Sequence, residues 1–247
     1  MTGLSAKNYH QESMQIFYSR QFRDNICELD QTESAHCIRV LRMKKGSRVN
    51  IIDGNGNFYA GIIDDPDPRA CKILLHHSES DFEKRSYKLH IAISPLKNQE
   101  RFEWFVEKSV EIGIDQITPV LCRNTEKPAI KKERINKIII SAMKQSVNAF
   151  RPVLNGETSF QEFLRLRFDG CKMIAHCHSD IDRDSISGVY TRGQDAVIMI
   201  GPEGDFAREE VLQAVSAGFI PVHLGRSRLR TETAGISACH SVYFINQ

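Results

Sequence analysis

The sequence predicts an α/β protein in which a small β domain precedes a larger domain built around a mostly parallel sheet. Short strand-like runs separated by turn residues fill the first third of the chain, which is typical of a small barrel or sandwich. Beyond residue 86, apolar runs and amphipathic helical segments alternate, as in parallel α/β domains. We predict a polar leader at residues 1–13, the β domain at 14–80 and the α/β domain at 81–247.

Turn residues divide the β domain. Glycine and asparagine in the stretch from Asp53 to Asn57 suit a tight turn between two strands. The stretch from Asp64 to Pro68 contains two prolines, which have no backbone N–H to donate within a sheet, so a loop is predicted there. The polar stretch from Ser78 to Ser86 is predicted to be the linker to the second domain. The predicted strands are 14–18, 49–53, 58–63 and 71–76.

In the α/β domain the apolar positions change from a spacing of two to helical spacing and back. Phe102, Phe105, Val106 and Val110 form one stripe of a predicted helix that stops at Gly113. Ser159 and Glu162 have the spacing of a capping box. The predicted strands are 88–93, 114–121, 171–176, 196–200 and 219–224. The predicted helices are 99–111, 131–147, 207–217 and 233–245.

Composition bears on four properties of the protein: a nucleic-acid partner, a membrane span, disulfides and a metal site. A formal net charge of +2 neither requires nor excludes a nucleic-acid partner. No stretch of apolar residues is long enough to span a membrane. Seven cysteines without a C-x-x-C spacing suit a reducing cytoplasm better than a disulfide framework. Consecutive residues of a strand point to opposite faces, so His176, Cys177 and His178 are not predicted to bind a metal ion.

A glycine-rich loop follows the predicted strand at 196–200. It reads Ile200-Gly201-Pro202-Glu203-Gly204-Asp205-Phe206, a sharp turn that leads into a helix. Ligands of parallel sheets bind beyond the carboxyl ends of the strands, and glycine lets a ligand approach the backbone closely. An ordinary strand-to-helix turn without a ligand remains the alternative.

A second loop follows the predicted strand at 219–224 and carries three arginines. Gly225 is followed by Arg226, Arg228 and Arg230, and then by a Thr-Glu-Thr run suited to capping a helix. A simple connection does not need three arginines, whereas a phosphate or RNA partner would explain them. A solvated basic loop is the alternative.

A basic patch lies in the β domain between His36 and Arg48, where no acidic residue interrupts the lysines and arginines. Such a patch suits RNA phosphates, and a solvated turn is the alternative. Phosphate-loop, dinucleotide-binding, serine-hydrolase and zinc-protease motifs are all absent from the sequence. The acidic positions Glu103, Glu107 and Glu111 are predicted to form a solvated helix face.

The two C-terminal loops resemble one family. IGPEGDF followed by HLGRSRLRTETA is similar to the patterns IGPEGGF and LGxRILRTETA of ribosomal RNA small-subunit methyltransferases of the RsmE type, in the SPOUT superfamily. Further similarity lies in the segment from His36 to Gly46, in the helix end from Lys108 to Gly113, and at Gln145-Ser146 and Arg151-Pro152. The resemblance extends over residues 14–245.

The sequence departs from the family pattern at several positions. Asp205 stands where the family has a second glycine, and Ser227 and Arg228 stand where Arg-Ile is usual. Asn148 stands where an arginine follows the Gln-Ser pair, and Gln15-Ile16 replaces the usual arginine before the first phenylalanine. These departures affect the expected RNA contacts more than the cofactor loops.

The resemblance implies a PUA-like or OB-like β-barrel for RNA and a C-terminal domain with a deep trefoil knot. It implies a homodimer that uses S-adenosylmethionine to methylate N3 of a uridine in 16S ribosomal RNA, near the decoding site. The expected catalytic residues are Arg230, Glu203 and Glu232. The expected cofactor residues are Ala175, His176, Ile200, Gly201, Gly204, Leu224, Gly225, Leu229, Arg230 and Ala234. The expected RNA-binding residues are His36, Arg39, Arg42, Lys44, Lys97, Lys108, Gln145, Arg151, Arg226 and Arg228.

Two rival functions remain open from the sequence. A knotted methyltransferase could act on another RNA, such as a transfer RNA ribose. A ribosome-binding or assembly protein without catalysis is the second rival, because Asp205, Ser227 and Arg228 depart from the family pattern. Cofactor binding separates the second rival from the enzymes.

Overall fold

The computed structural model describes residues 15–126 and 130–247, so the predicted leader at 1–13 lies outside the described residues. The chain divides into two compact units. The first unit combines residues up to Lys84 with Met143–Arg151, and the second combines Arg85–Ala142 with Pro152–Gln247. Within the described ranges, no helix is long and apolar enough to cross a membrane.

The first unit contains a curled sheet of six strands in the order β1-β4-β5-β6-β3-β2. Neighbouring strands run antiparallel except β1 and β4, which are parallel. The four strands predicted for this region are confirmed. The strands are β1 (Ile16–Tyr18), β2 (Gln21–Arg23), β3 (Ile26–Glu28), β4 (Arg48–Ile52), β5 (Phe58–Asp65) and β6 (Lys72–Glu79).

One prediction for this unit was wrong in detail. Asp64 and Asp65 belong to β5 and not to a loop, because Asp65 pairs with Lys72 of β6 across a register shift. The basic patch from His36 to Arg48 begins in a short π-helix at His36–Val40, which directly follows α1 (Gln31–Ala35). Asp30 caps α1, since its carboxylate accepts the backbone N–H of Glu33.

The segment Met143–Arg151 belongs to the first unit because it contacts the turn between β4 and β5. The N–H of Gly56 donates to the carbonyl of Ala149, and the N–H of Arg151 donates to the carbonyl of Gly54. Gly56 has a φ of 94°, and a Cβ there would overlap the ring of Phe150. This turn therefore requires glycine both for its backbone conformation and for the close approach of Phe150.

The second unit contains a parallel sheet in the order β10-β8-β7-β13-β11-β14-β12, with β9 paired to β8. The strands are β7 (Leu89–Ile93), β8 (Gln116–Leu121), β9 (Val153–Leu154), β10 (Thr158–Ser159), β11 (Cys171–Ala175), β12 (Asp184–Ser185), β13 (Ala196–Ile200) and β14 (Ile220–His223). The helices are α2 (Gln99–Ile112), α3 (Lys132–Ser146), α4 (Phe160–Leu164), α5 (Ile186–Val189), α6 (Arg208–Ser216) and α7 (Thr231–Ile245), and the last four residues of α3 are grouped with the first unit. The predicted alternation of strands and helices is confirmed.

Local signals explain most helix ends. Gly113 follows α2 with a φ of 110°, and the capping box of Ser159 and Glu162 begins α4, both as predicted. Helix α3 ends before Val147, whose φ of 57° is left-handed. Helix α7 begins at Thr231 and not at Thr233, with Arg230 as its N-cap, so the predicted threonine cap is wrong.

The register of the central strands determines where the candidate site lies. Every residue of β7 and β13 is buried, which explains their continuous apolar sequence. Ile200 pairs with Ile93 on one side and with Ala175 on the other, and Ala175 also pairs with Val222. The carboxyl ends of four adjacent strands therefore lie in one row. The trefoil knot expected from the resemblance stays a prediction.

Candidate active site

The candidate site lies at the carboxyl edge of the parallel sheet. Four loops leave this edge after β7, β13, β11 and β14, and they span residues 94–98, 201–207, 176–183 and 224–230. This arrangement is the usual ligand-binding position of a parallel sheet. It places the following expected cofactor residues at one edge: Ala175, His176, Ile200, Gly201, Leu224 and Gly225.

The loop after β13 is fixed by contacts from neighbouring loops. Gly201 is buried and a Cβ there would lie 3.0 Å from a ring carbon of Phe206. The Glu203 carboxylate accepts the backbone N–H of Lys97 at 3.2 Å. Asn124 donates through Nδ2 to the carbonyl oxygen of Asp205 at 3.0 Å. These contacts give the glycine-rich loop a defined conformation.

The imidazole of His176 follows β11 and is 4% exposed. Burial lowers its pKa to about 4, so the ring is neutral at pH 7. Its Nδ1 accepts the backbone N–H of His178 at 3.2 Å, which leaves the proton on Nε2. That Nε2–H is buried and has no hydrogen-bond partner in the part of the chain that the structure describes. A buried donor of this kind is costly unless a ligand accepts its hydrogen bond.

The second predicted loop presents its arginines to solvent. Gly225 has a φ of 111°, and a Cβ there would meet no atom within 4 Å. The side chains of Arg226, Arg228 and Arg230 are exposed. Their charge and the open space beside Gly225 suit an anionic partner of some size.

Glu232 lies in the first turn of α7 and is 5% exposed. Its Oε1 is 3.7 Å from Nε of Arg101 on α2, and its Oε2 is buried with no hydrogen-bond partner among the described residues. The sequence placed Glu232 in a Thr-Glu-Thr run suited to capping the helix. The structure places its side chain against Arg101, with one buried carboxylate oxygen left unsatisfied. Ala234, also an expected cofactor residue, donates its N–H to the carbonyl of Arg230.

The expected RNA-binding residues are distributed over both units. In the first unit, His36, Arg39, Arg42 and Lys44 lie on or just after the π-helix, and all four are exposed. Gln145 and Arg151 belong to the same unit. Lys97, Lys108, Arg226 and Arg228 belong to the second unit.

Two of the expected RNA-binding lysines already have acidic partners. Lys97 lies 2.9 Å from the carboxylate of Glu126. Lys108 lies 2.8 Å from both Glu107 and Glu111, and the hydrogen bonds to these carboxylates raise its pKa. The predicted acidic helix face is therefore partly neutralised. Each ammonium group still has at least one N–H donor for a phosphate, but its charge is already partly compensated.

The sequence did not indicate Arg101 or Asn124 as site residues. Each contacts a residue at least 81 positions away along the chain: Arg101 meets Glu232, and Asn124 meets Asp205. No local pattern marks such long-range partners. Within residues 15–126 and 130–247, no cluster of histidine, cysteine and acidic residues has the geometry of a metal site.

Comparisons with known proteins agree with this geometry. Residues 83–243 match the model of an RNA methyltransferase domain, and residues 29–75 match that of an RNA methyltransferase PUA domain. Over 229 residues the chain is 26% identical to ribosomal RNA small subunit methyltransferase E of Rickettsia conorii, which covers 91% of this chain and 92% of that relative.

Two solved structures are similar along nearly the whole chain. A probable rRNA methyltransferase from Porphyromonas gingivalis has 38% identity and a TM-score of 0.88, covering 94% of this chain and 98% of its own. Ribosomal RNA small subunit methyltransferase E from Neisseria gonorrhoeae, bound to S-adenosyl methionine, has 25% identity and a TM-score of 0.80, with the same coverage. With both domain models matched in order, the chain belongs to the RNA methyltransferase family of the RsmE type.

Proposed function

We propose that this protein transfers a methyl group from S-adenosylmethionine to N3 of a uridine in 16S ribosomal RNA, near the decoding site. One observation carries the proposal: the glycine-rich loop and the arginine loop leave the sheet on either side of β11, at one edge. A donor site beside guanidinium groups is what methylation of RNA requires. The similarity to ribosomal RNA small subunit methyltransferase E supports the choice of substrate.

The residues at this edge fit an adenosyl cofactor. The unpartnered Nε2–H of His176 can donate to a hydroxyl or carboxylate oxygen. Gly225 has open space where a side chain would stand, so a nucleoside can approach its backbone closely, and Gly201 lets the glycine-rich loop pack tightly against Phe206. Ala175, Ile200, Leu224 and Leu229 are the further residues that we expect to hold the cofactor, with Gly204 and Ala234.

The cofactor supplies a methyl group on a positively charged sulfur, which makes that methyl group strongly electrophilic. The chain must therefore activate the acceptor, because N3 of uridine carries a proton and is a poor nucleophile. We expect the exposed guanidinium of Arg230 to donate to O2 or O4 of the base and to stabilise the negative charge that develops there. The base must leave its stack to reach this group.

Glu232 is the better candidate to accept the N3 proton. Its buried Oε2 has no partner within residues 15–126 and 130–247, so an N–H group that reached it would satisfy an acceptor that is otherwise costly. Glu203 is exposed and its carboxylate already accepts the N–H of Lys97. In this scheme Glu232 would accept the N3 proton and Arg230 would stabilise the charge on the base. The cofactor, when bound, would supply the methyl group, and the bond between that methyl carbon and sulfur would break to leave S-adenosylhomocysteine.

The remaining expectations from the family are part of the same proposal. We infer a homodimer, a knotted second domain and a cytoplasmic protein that meets the small ribosomal subunit. We also infer that residues 14–80 form the RNA-binding domain and residues 81–247 the methyltransferase domain. The match of residues 29–75 to a PUA domain supports the RNA-binding role of the first.

The decisive experiment incubates the purified protein with methyl-labelled S-adenosylmethionine and small subunits from a strain that lacks this modification. We expect label at one uridine of 16S RNA, with the methyl group on N3. Naked 16S RNA and transfer RNA serve as parallel substrates. Label on a ribose or on transfer RNA alone contradicts the proposal, and failure of the protein to bind the cofactor contradicts any methyltransferase function.

The basic patch of the first unit is expected to contribute to RNA affinity. Arg39, Arg42 and Lys44 are exposed on or after the π-helix. Replacing Arg39 and Lys44 with glutamine and Arg42 with asparagine should weaken binding of 16S RNA. We expect the slope of log affinity against log salt to fall by about 0.7–0.9 for each phosphate that the protein no longer neutralises. Asparagine is chosen at position 42 because φ is 54° there.

A matched variant controls for total charge. Arg20, Arg23 and Arg69 are exposed in the same unit and lie outside the patch, so replacing them with glutamine removes the same charge. We expect this control to leave the salt slope nearly unchanged. Equal slopes for the patch variant and the wild-type protein would show that the patch does not contact RNA phosphates.

A further inference from the structure

Asp205 occupies a backbone conformation that usually selects glycine. Its φ is 65°, and the family pattern has glycine at this position of the loop after β13. Aspartate tolerates the left-handed region better than most residues, because its short polar side chain can bond to nearby backbone groups. The backbone strain of a side chain at this position needs a compensating interaction.

The carboxylate of Asp205 supplies that interaction by joining two loops. Oδ1 accepts the N–H of Phe206 at 2.8 Å, within its own loop. Oδ2 accepts the N–H of Cys177 at 2.7 Å, in the loop after β11. Glycine cannot make the second contact. The carboxylate therefore connects the two loops that carry Gly201 and His176.

Neighbouring groups hold the same junction. The ring Nε2 of His178 lies 2.8 Å from the carbonyl oxygen of Phe206, and Arg183 donates to the carbonyl of His176 at 2.6 Å. Asn124 donates to the carbonyl of Asp205 from the other side. The Asp205 carboxylate is the charged acceptor in this set, and hydrogen bonds to a charged acceptor are stronger than those between neutral groups.

We propose that Asp205 is a positioning residue that fixes the loop after β11 against the glycine-rich loop and so forms the cofactor pocket before the cofactor binds. The inference rests on the proposed function, because the pocket between these loops is the one assigned to S-adenosylmethionine. Binding to ordered loops avoids the free-energy cost of ordering them on association. Asp205 acts through the loops and needs no contact with the methyl group.

Two variants test the role of the carboxylate. Asp205→Gly installs the residue of the family pattern and relieves the left-handed backbone, but removes both hydrogen bonds. Asp205→Asn keeps the shape and the tolerance of positive φ, yet its amide offers one acceptor to two N–H groups. We expect calorimetry to show S-adenosylmethionine binding about tenfold more weakly in both, as when a protein loses a hydrogen bond to a charged group.

Kinetics separate positioning from general damage. The KM for the cofactor should rise with the dissociation constant, while kcat at saturating cofactor should stay close to the wild-type value. The unfolding temperature should not fall in Asp205→Gly, because relief of backbone strain offsets the missing hydrogen bonds. A parallel fall in kcat and unfolding temperature, with cofactor affinity unchanged, would overturn the positioning role.

Cys177 provides a second readout that needs no cofactor. It is the exposed cysteine among seven, and the other six are buried. Alkylation of its thiol, followed by mass spectrometry, therefore reports on the loop whose N–H bonds to Asp205. We expect faster alkylation of Cys177 in Asp205→Gly and Asp205→Asn than in the wild-type protein. Equal alkylation rates would show that the carboxylate does not hold this loop.

Asp180→Asn is the matched control, because Asp180 lies in the same loop and joins Arg208 at 2.6 Å. Both side chains of that pair are more than half exposed, so the pair contributes little to the conformation of the loop. We expect cofactor affinity and Cys177 alkylation to match the wild-type protein. An equal loss of affinity in Asp180→Asn and Asp205→Asn would overturn a specific role for Asp205.

The two readouts distinguish failure of this inference from failure of the proposed function. Wild-type protein that binds no S-adenosylmethionine overturns the proposed function and the pocket role together, whatever the alkylation rates. Wild-type protein that binds the cofactor while both Asp205 variants bind it equally well overturns the positioning role alone. Weaker binding with faster alkylation in both variants supports it.

Discussion

Replacing Arg230 with alanine is expected to lower the rate of methyl transfer at saturating substrates by about 10²–10³-fold, as when an enzyme loses one donor to a developing oxyanion. The guanidinium is exposed at the N-cap of α7, next to the helix turn that carries Glu232. Because the side chain is exposed to solvent, it is accessible to the uracil oxygens of a bound RNA. Single-turnover kinetics with labelled cofactor and small subunits measure the effect.

Binding of the cofactor should survive this change. The N–H of Ala234 bonds to the backbone carbonyl of Arg230, and alanine retains that carbonyl. Calorimetry is therefore expected to give an S-adenosylmethionine affinity close to that of the wild-type protein. Loss of cofactor binding together with activity would mean that the guanidinium serves the cofactor and not the base.

Arg228→Ala is the matched control for Arg230→Ala. Both variants remove one exposed positive charge from the loop after β14, so any general electrostatic effect on RNA is the same. We expect Arg228→Ala to weaken RNA binding and to leave turnover at saturating RNA nearly intact. Equal losses of turnover in the two variants would contradict a specific catalytic role for Arg230.

The sequence predicts the sheet edge of the candidate site because short-range signals mark it. Buried strands such as β13 are continuous apolar runs, and the glycines and prolines of the next segment end them. The rule that ligands bind beyond strand carboxyl ends then selects the loops containing Gly201 and Gly225. These positions follow from local composition, so the structure confirms the loops with only small shifts at helix ends.

Partners that are distant along the chain are not predictable in this way. Asp205 stands 28 residues from Cys177, and its hydrogen bond to that N–H exists only because β11 and β13 are adjacent in the sheet. Arg101 meets Glu232 for a similar reason, since α2 and α7 pack together. The sequence shows Asp205 only as a departure from a family pattern. Its intramolecular role depends on strand order.

The first unit shows a second limit of sequence patterns. Strands β2 and β3 are three residues each, and Cys27 is the one fully buried residue of the six, so no apolar alternation marks them. They form because β3 pairs with the much longer β6. The π-helix at His36–Val40 is likewise not predictable from its sequence, because five residues are too few to show a helical repeat. Tertiary context decides the conformation of such short segments.

Gly201→Val is expected to abolish binding of S-adenosylmethionine, with a loss of affinity of more than about 100-fold, because displacing a packed backbone costs several kcal/mol. A Cβ at this position would lie 3.0 Å from a ring carbon of Phe206 and 3.1 Å from its backbone nitrogen. Phe206 is 1% exposed and its ring contacts Phe160, so it cannot move away. The glycine-rich loop must shift instead, and with it the backbone groups assigned to the cofactor.

Gly156→Val is the matched control, because Gly156 lies in an exposed turn between β9 and β10. A Cβ there would have only the amino group of Lys132 as a neighbour, at 3.9 Å, so a side chain is tolerated. Calorimetry should give the wild-type cofactor affinity for this variant and none for Gly201→Val, with circular dichroism showing that both are folded. The buried ring of Phe206 anchors the glycine-rich loop in the core. Normal cofactor binding by folded Gly201→Val would therefore mean that the cofactor pocket lies elsewhere on the sheet.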